Sequence, residues 1–155
     1  MTPIINPEEL VHLYQHKNLV LIDARTGPKA KENYSPEHLV GALNVNLETD
    51  LSQKSADPAD GGRHPLPEIA RFAELLGNLG ITSESHVVVY DDKNGANAAA
   101  RFWWMLRAIG HKKVQVLDGG YAAALAAGVP VKSGTEATIK NNPTLSQIGN
   151  YQSQL

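Results

Sequence analysis

Short runs of consecutive apolar residues alternate along this chain with longer stretches whose apolar positions recur every three or four residues. The runs are Leu19-Val20-Leu21-Ile22, Val87-Val88-Val89-Tyr90 after His86, and Val114 to Leu117. An unbroken apolar run of four or five residues suits a strand covered on both faces, as in a parallel sheet. Helical spacing recurs in residues 7–16, where Leu10, Leu13 and Tyr14 share a face, and in 66–79 through Ile69, Phe72, Leu75, Leu76 and Leu79. Two further helices are expected over 96–108 and 121–127. Pro7 suits a first helical turn, and Gly80, Gly110 and Gly128 stand where a helix ends in a left-handed residue. Residues 42–47 form a weaker strand candidate, 26–37 are polar, and 50–67 make a long loop rich in Asp, Gly and Pro. Strands alternating with helices predict an α/β fold, a parallel sheet with helices on both faces. The domain is expected to span residues 1–132, with 133–155 as a polar linker or C-terminal extension.

A chain of 155 residues with 42% hydrophobic content suits one core, burying roughly 70% of its unfolded surface. The net charge of -2, with both signs interspersed, lacks the basic stripe that nucleic acid or an anionic membrane demands, so neither is an expected partner. Apolar stretches fall short of the roughly 20 residues of a bilayer span, and the first residues lack the basic-then-apolar order of a secretory leader; the expected location is cytoplasmic. Cysteine is absent, which excludes disulfides, thiolate metal sites and any thiol nucleophile within the chain. No metal or cofactor is expected. His12 and His16 lie four apart without the intervening Glu of a zinc-protease helix, and neither Gly119-Gly120 nor residues 93–95 form a nucleotide fingerprint.

The chemistry concentrates in the loop after the second long apolar run. Asp91, Asp92, Lys93, Asn94, Gly95 and Ala96 lead from a strand into a helix, and unpaired backbone N–H groups at such a junction make an anion cradle. The first loop position holds Asp91. An aspartyl nucleophile or a carboxylate metal pair is one reading of Asp91-Asp92, but acidic residues at strand ends more often cap helices. Asp23 and Arg25 end another strand, where α/β proteins place their sites; an internal ion pair is the plainer role. His38 and His64 are expected to make structural hydrogen bonds. Trp103 and Trp104 are adjacent, about 100° apart on a helix, so one of them is available to face a partner.

Several stretches together resemble the rhodanese domain, over nearly all of residues 5–131. They are Leu21-Ile22-Asp23-Ala24-Arg25, Tyr34-Ser35-Pro36-Glu37-His38-Leu39-Val40-Gly41-Ala42, Val87-Val88-Val89-Tyr90-Asp91, Val116-Leu117-Asp118-Gly119-Gly120 and Ala127-Gly128-Val129-Pro130-Val131. Gly61-Gly62-Arg63-His64-Pro65-Leu66-Pro67, and Arg101-Phe102-Trp103-Trp104-Met105-Leu106-Arg107 before Gly110-His111, are similar to the first domain of two-domain thiosulfate or 3-mercaptopyruvate sulfurtransferases. Glu37 and Val40 depart from the Gly and Pro common there. The resemblance implies a three-layer fold with a mostly parallel sheet of about five strands. It also implies that Asp91 stands at the family's cysteine position in a degenerate, non-catalytic first domain. A second rhodanese domain is then the expected partner, from the same gene or a separate chain, with a small anionic sulfur donor bound only by the complete enzyme. Gly149-Asn150-Tyr151-Gln152 resembles the crossing into that domain. Arg25, Arg63, His64 and Trp103 are the candidate cleft or interface residues. The other readings are a stand-alone inactive module binding a protein or small anion, and an Asp91-based hydrolase.

Overall fold

The computed structural model describes residues 1–27, 30–57 and 59–136; most of the expected C-terminal extension lies outside the described residues. In chain order the elements are β1 (Ile4–Ile5), α1 (Pro7–Leu13), β2 (Leu19–Asp23), α2 (Ala30–Tyr34), β3 (His38–Leu39), β4 (Leu43–Asn44), α3 (Ile69–Asn78), β5 (His86–Tyr90), α4 (Ala98–Ala108), β6 (Val114–Leu117), α5 (Gly120–Ala126) and β7 (Val131–Lys132). Five strands form a wholly parallel sheet in the order β1-β6-β5-β2-β4, while β3 and β7 pair antiparallel apart from it.

Side chains alternate across the sheet, so each apolar run supplies two cores. Val87 and Val89 of β5 join Ile22, Phe72, Leu76, Phe102 and Leu106 under α3 and α4. Val88 and Tyr90 join Leu10, Leu21, Leu117 and Ala124 on the other face, under α1 and α5. Burial on both faces is why these strands read as unbroken apolar runs.

Element ends differ from the expected ones for local reasons. The first helix stops at Leu13, and turn bonds from His16 N–H to Leu13 (2.8 Å) and Leu19 N–H to His16 (3.1 Å) steer the chain into β2. His12 and His16 therefore do not share a helical face. The start of α1 follows its caps: Asn6 and Glu9 bond each other's backbone N–H at 2.8 and 3.0 Å, the reciprocal box that satisfies two orphan donors. Ile69 rather than Leu66 opens α3, because Pro67 disfavours helical backbone before it and Glu68 is extended at ψ 147. The expected strand over 42–47 shrinks to Leu43–Asn44, and β1, α2, β3 and β7 were not expected at all.

Candidate functional site

Chain order around the sheet reverses between β2 and β5. From β2 the chain moves outward to β4; from β5 it moves the opposite way to β6, beyond which the first strand, β1, forms the edge. The loops leaving β2 and β5 diverge there, and the crevice at the carboxyl ends of such strands is where open α/β sheets hold ligands. The segment after Asp23 leaves β2 on one side, and the segment after Tyr90 leaves β5 on the other.

Asp91 is wholly buried. Its Oδ1 accepts from the N–H groups of Lys93 (2.9 Å) and Gly95 (2.7 Å), and its Oδ2 from Asn97 (3.2 Å) and Ala99 (3.1 Å). The loop is thus an anion cradle wrapped on the chain's own carboxylate. This delays α4 to Ala98, two residues later than expected, since the backbone at Asn97 (φ -121, ψ -111) still turns its N–H toward Asp91. Asn94 takes a left-handed φ of 58 to close the wrap. With both oxygens engaged and no exposed surface, Asp91 presents no lone pair to a substrate, which argues against an aspartyl nucleophile. Asp92, Lys93, Asn94 and Ala96 point to solvent, while Gly95 is buried.

Across the crevice, Asp23 and Arg25 form a buried pair. Arg25 Nε lies 3.1 and 3.0 Å from the two Asp23 oxygens, and its Nη2 donates to Asp23 Oδ2 at 2.8 Å and to the Glu37 carbonyl at 2.6 Å. The Tyr90 hydroxyl donates to the same Asp23 Oδ2 at 2.8 Å. Arg25 also lies 4.2 Å over the Tyr121 ring, which stacks on Tyr90. Burial opposes the charge of Arg25, but Asp23 outweighs it and holds the guanidinium above its ordinary pKa. Burial foremost, then the charge of Asp23, drives the Tyr90 hydroxyl far above a free phenol, so it remains a donor. The Tyr121 hydroxyl, pushed up to about 12 by burial and its hydrogen bond to Glu37, donates to that carboxylate. Glu37, where the resembled family often carries Gly, thereby ties the loop before β3 to α5.

A cleft of about 380 Å³ opens beside this pair, lined by Arg25, Thr26, Asn46, Glu48, Lys54 and Arg63 among others. Asn97 Nδ2 donates to Thr26 Oγ1 at 3.3 Å, linking its rim to the Asp91 loop. Glu48 bonds His64 Nε2 at 2.8 Å and Lys54 Nζ at 2.5 Å, and hydrogen bonds from Lys54 and then His64 hold its carboxyl down at about 2. Arg101 fixes the same loop by donating to the carbonyls of Leu51 and His64 at 2.9 and 2.8 Å. Of the four residues named from the sequence, Arg25 and Arg63 therefore line one cleft and His64 braces its wall. Trp103 is elsewhere: half-buried, it donates from Nε1 to the Val114 carbonyl at 3.1 Å. Trp104 is 46% exposed beside Leu66 and Ile69. Sequence reasoning missed Tyr90, Tyr121 and Glu37 as partners because their contacts join segments far apart in the chain, and Glu48 and Lys54 because their pairing lies within a loop that carries no period.

The fold and this loop define a single α/β domain carrying a strand–loop–helix anion cradle at the sheet's switch point. A family described as "Rhodanese-like domain" matches residues 6–127, and the chain belongs to that family. It is 37% identical over 122 residues to 3-mercaptopyruvate sulfurtransferase of Mus musculus, covering 75% of this chain and 39% of that one. Thiosulfate sulfurtransferase of the same organism is 36% identical over 132 residues, covering 82% and 43%. Among solved structures, 3-mercaptopyruvate sulfurtransferase from Leishmania major superposes with a TM-score of 0.79 at 31% identity, covering 91% of this chain and 39% of that one. The chain thus spans about two-fifths of the length of these relatives. No helix among the described residues is long and apolar enough to cross a membrane.

Proposed function

We propose that this chain is the non-catalytic rhodanese domain of a two-domain thiosulfate or 3-mercaptopyruvate sulfurtransferase. Its partner is a second rhodanese domain, from the same gene or a separate chain, whose cysteine takes up the sulfur and passes it to cyanide or a thiol. The observation that carries the reading is the Asp91 carboxylate, seated on four loop N–H groups. Sulfur transfer needs a thiolate that attacks the donor's transferable sulfur and expels sulfite from thiosulfate or pyruvate from 3-mercaptopyruvate, leaving a persulfide anion held by N–H groups of this kind. A carboxylate is a poor nucleophile toward sulfur and cannot store it, and its charge fills the place where the persulfide would sit. Identity to sulfurtransferases about twice this chain's length supports a missing catalytic half. The 380 Å³ cleft with Arg25 and Arg63 is then the wall this domain contributes to the donor's pocket.

The test pairs an assay with the reading frame beyond the Leu155 codon. The chain alone is expected to form no thiocyanate from thiosulfate and cyanide, and no persulfide from 3-mercaptopyruvate. The frame is expected to continue into a second α/β domain with cysteine directly after a strand. Turnover by the chain alone overturns the reading. A stop codon, with no cysteine-bearing chain that restores turnover, replaces it with an inactive module that binds a protein or small anion.

A further inference from the structure

After α5 the chain is clasped back onto the domain. His38 of β3 faces Lys132 of β7, and Leu39 faces Val131. Val40 N–H donates to the Pro130 carbonyl at 2.9 Å and Gly134 N–H to the Ser35 carbonyl at 2.8 Å. Glu136 then folds inward: its Oε1 accepts from Gly41 N–H at 3.1 Å and lies 3.0 Å from His38 Nε2. His38 is wholly buried, its ring stacked on Tyr34 at 4.1 Å, with Nδ1 2.9 Å from the Tyr34 carbonyl.

These contacts fix a proton. A carbonyl only accepts, so Nδ1 carries a hydrogen. The Nε2–Oε1 contact needs a second hydrogen, whether it rests on the ring or on the carboxyl. Without it two lone pairs face each other in a buried place. The surrounding charges favour the carboxylate form of Glu136. Lys132 Nζ lies 3.7 Å from Glu136 Oε2, while Arg25 sits on the Glu37 carbonyl next to His38 and is neutralised by Asp23. Tyr14 and Tyr90 donate and accept around Val40 and Leu39, and Glu37 is held by Tyr121. Burial pulls the Glu136 carboxyl up, but His38, Gly41 and Lys132 outweigh it and keep it below its ordinary range. The Tyr14 and Tyr34 hydroxyls, pushed up to about 12 chiefly by burial, stay protonated in mild alkali.

We propose that His38 and Glu136 are a proton-held clasp that pins the chain's exit at residue 136 to the loop around β3, and that loss of this proton frees the β7 segment. The lowered Glu136 contributes stability above its unfolded pKa and loses it as pH falls through the folded one. At the other end, removal of the shared proton leaves a ring lone pair against a carboxylate lone pair, and the clasp opens. It is independent of the sulfurtransferase reading, since it concerns only contacts within this chain.

Hydrogen exchange at the Val40 and Gly134 amides, corrected for intrinsic rate, measures the clasp at pH 6 and 8.5, with a Val88 amide as core control. Protection at both is expected to fall roughly tenfold at the higher pH, the scale of one lost charged hydrogen bond, while Val88 holds. In Glu136→Gln, which removes the carboxylate charge that holds the proton, the fall is expected to shrink below about twofold. Lys132→Gln should retain it. Equal protection of the wild-type chain at both pH values overturns the proposal, as does an undiminished fall in Glu136→Gln or a fall that Lys132→Gln abolishes.

Discussion

Asp91 shows how one side chain can close a site. Replacing it with Ala leaves four backbone donors facing a cavity, and removing one side of a buried charged network costs about 3 kcal/mol or more. Asp91→Asn should recover little of this, because one amide position turns donors toward donors. Urea unfolding checks both: midpoints fall with the slope unchanged, and a stability loss of less than about 1 kcal/mol in Asp91→Ala contradicts the cradle's role. Asp91 and its loop were legible in the sequence from the strand before and the helix after. The seating of its two oxygens was not, since it depends on the turn at Asn94 and the late start of α4. Asp23 with Arg25 was likewise legible as a local pair, whereas Tyr90 and Tyr121 reach it only through the sheet and α5.

At the level of elements, α5 meets the cradle so closely that only glycine fits. Tyr121 N–H donates to the Asp91 carbonyl at 2.9 Å, and a Cβ on Gly120 would lie 2.4 Å from that oxygen. Gly128, at φ +79 after the same helix, would place a Cβ in open space. Gly128→Ala is therefore expected to cost only the backbone penalty of about 1 kcal/mol, and Gly120→Ala about 3 kcal/mol through the added clash. Thermal midpoints of the two variants compare them, and equal losses would contradict the steric argument. Helices α1, α3, α4 and α5 were foreseeable because each repeats its apolar spacing over two turns or more. The two-residue strands β1, β3 and β7 were not, because two residues carry no period. Their pairing partners decide them: β1 is a strand only because β6 lies beside it.

For the whole molecule, the two cores lie back to back on one sheet and share its strands. Val87 and Val89 belong to one, Val88 and Tyr90 to the other, so neither face can come apart while the other keeps β5 in place. Both tryptophans sit on α4, and Trp103 packs against the first core, so fluorescence reports that layer, whereas far-UV circular dichroism averages all elements. Their urea midpoints are expected to coincide, as two-state unfolding requires; separated midpoints would mean that one layer opens by itself.

The sequence by itself determined the alternation of strands and helices, the family, the absence of cysteine and the acidic residue that opens the loop after β5. All of these rest on local pattern or residue chemistry, which need no third dimension. Tertiary structure alone decided that the sheet reverses between β2 and β5, which brings Arg25 and Arg63 to one cleft and leaves Trp103 on α4 outside it. It also decided that Glu136 returns to His38 across 98 positions. Such contacts are set by strand order and loop closure, and no local spacing encodes either.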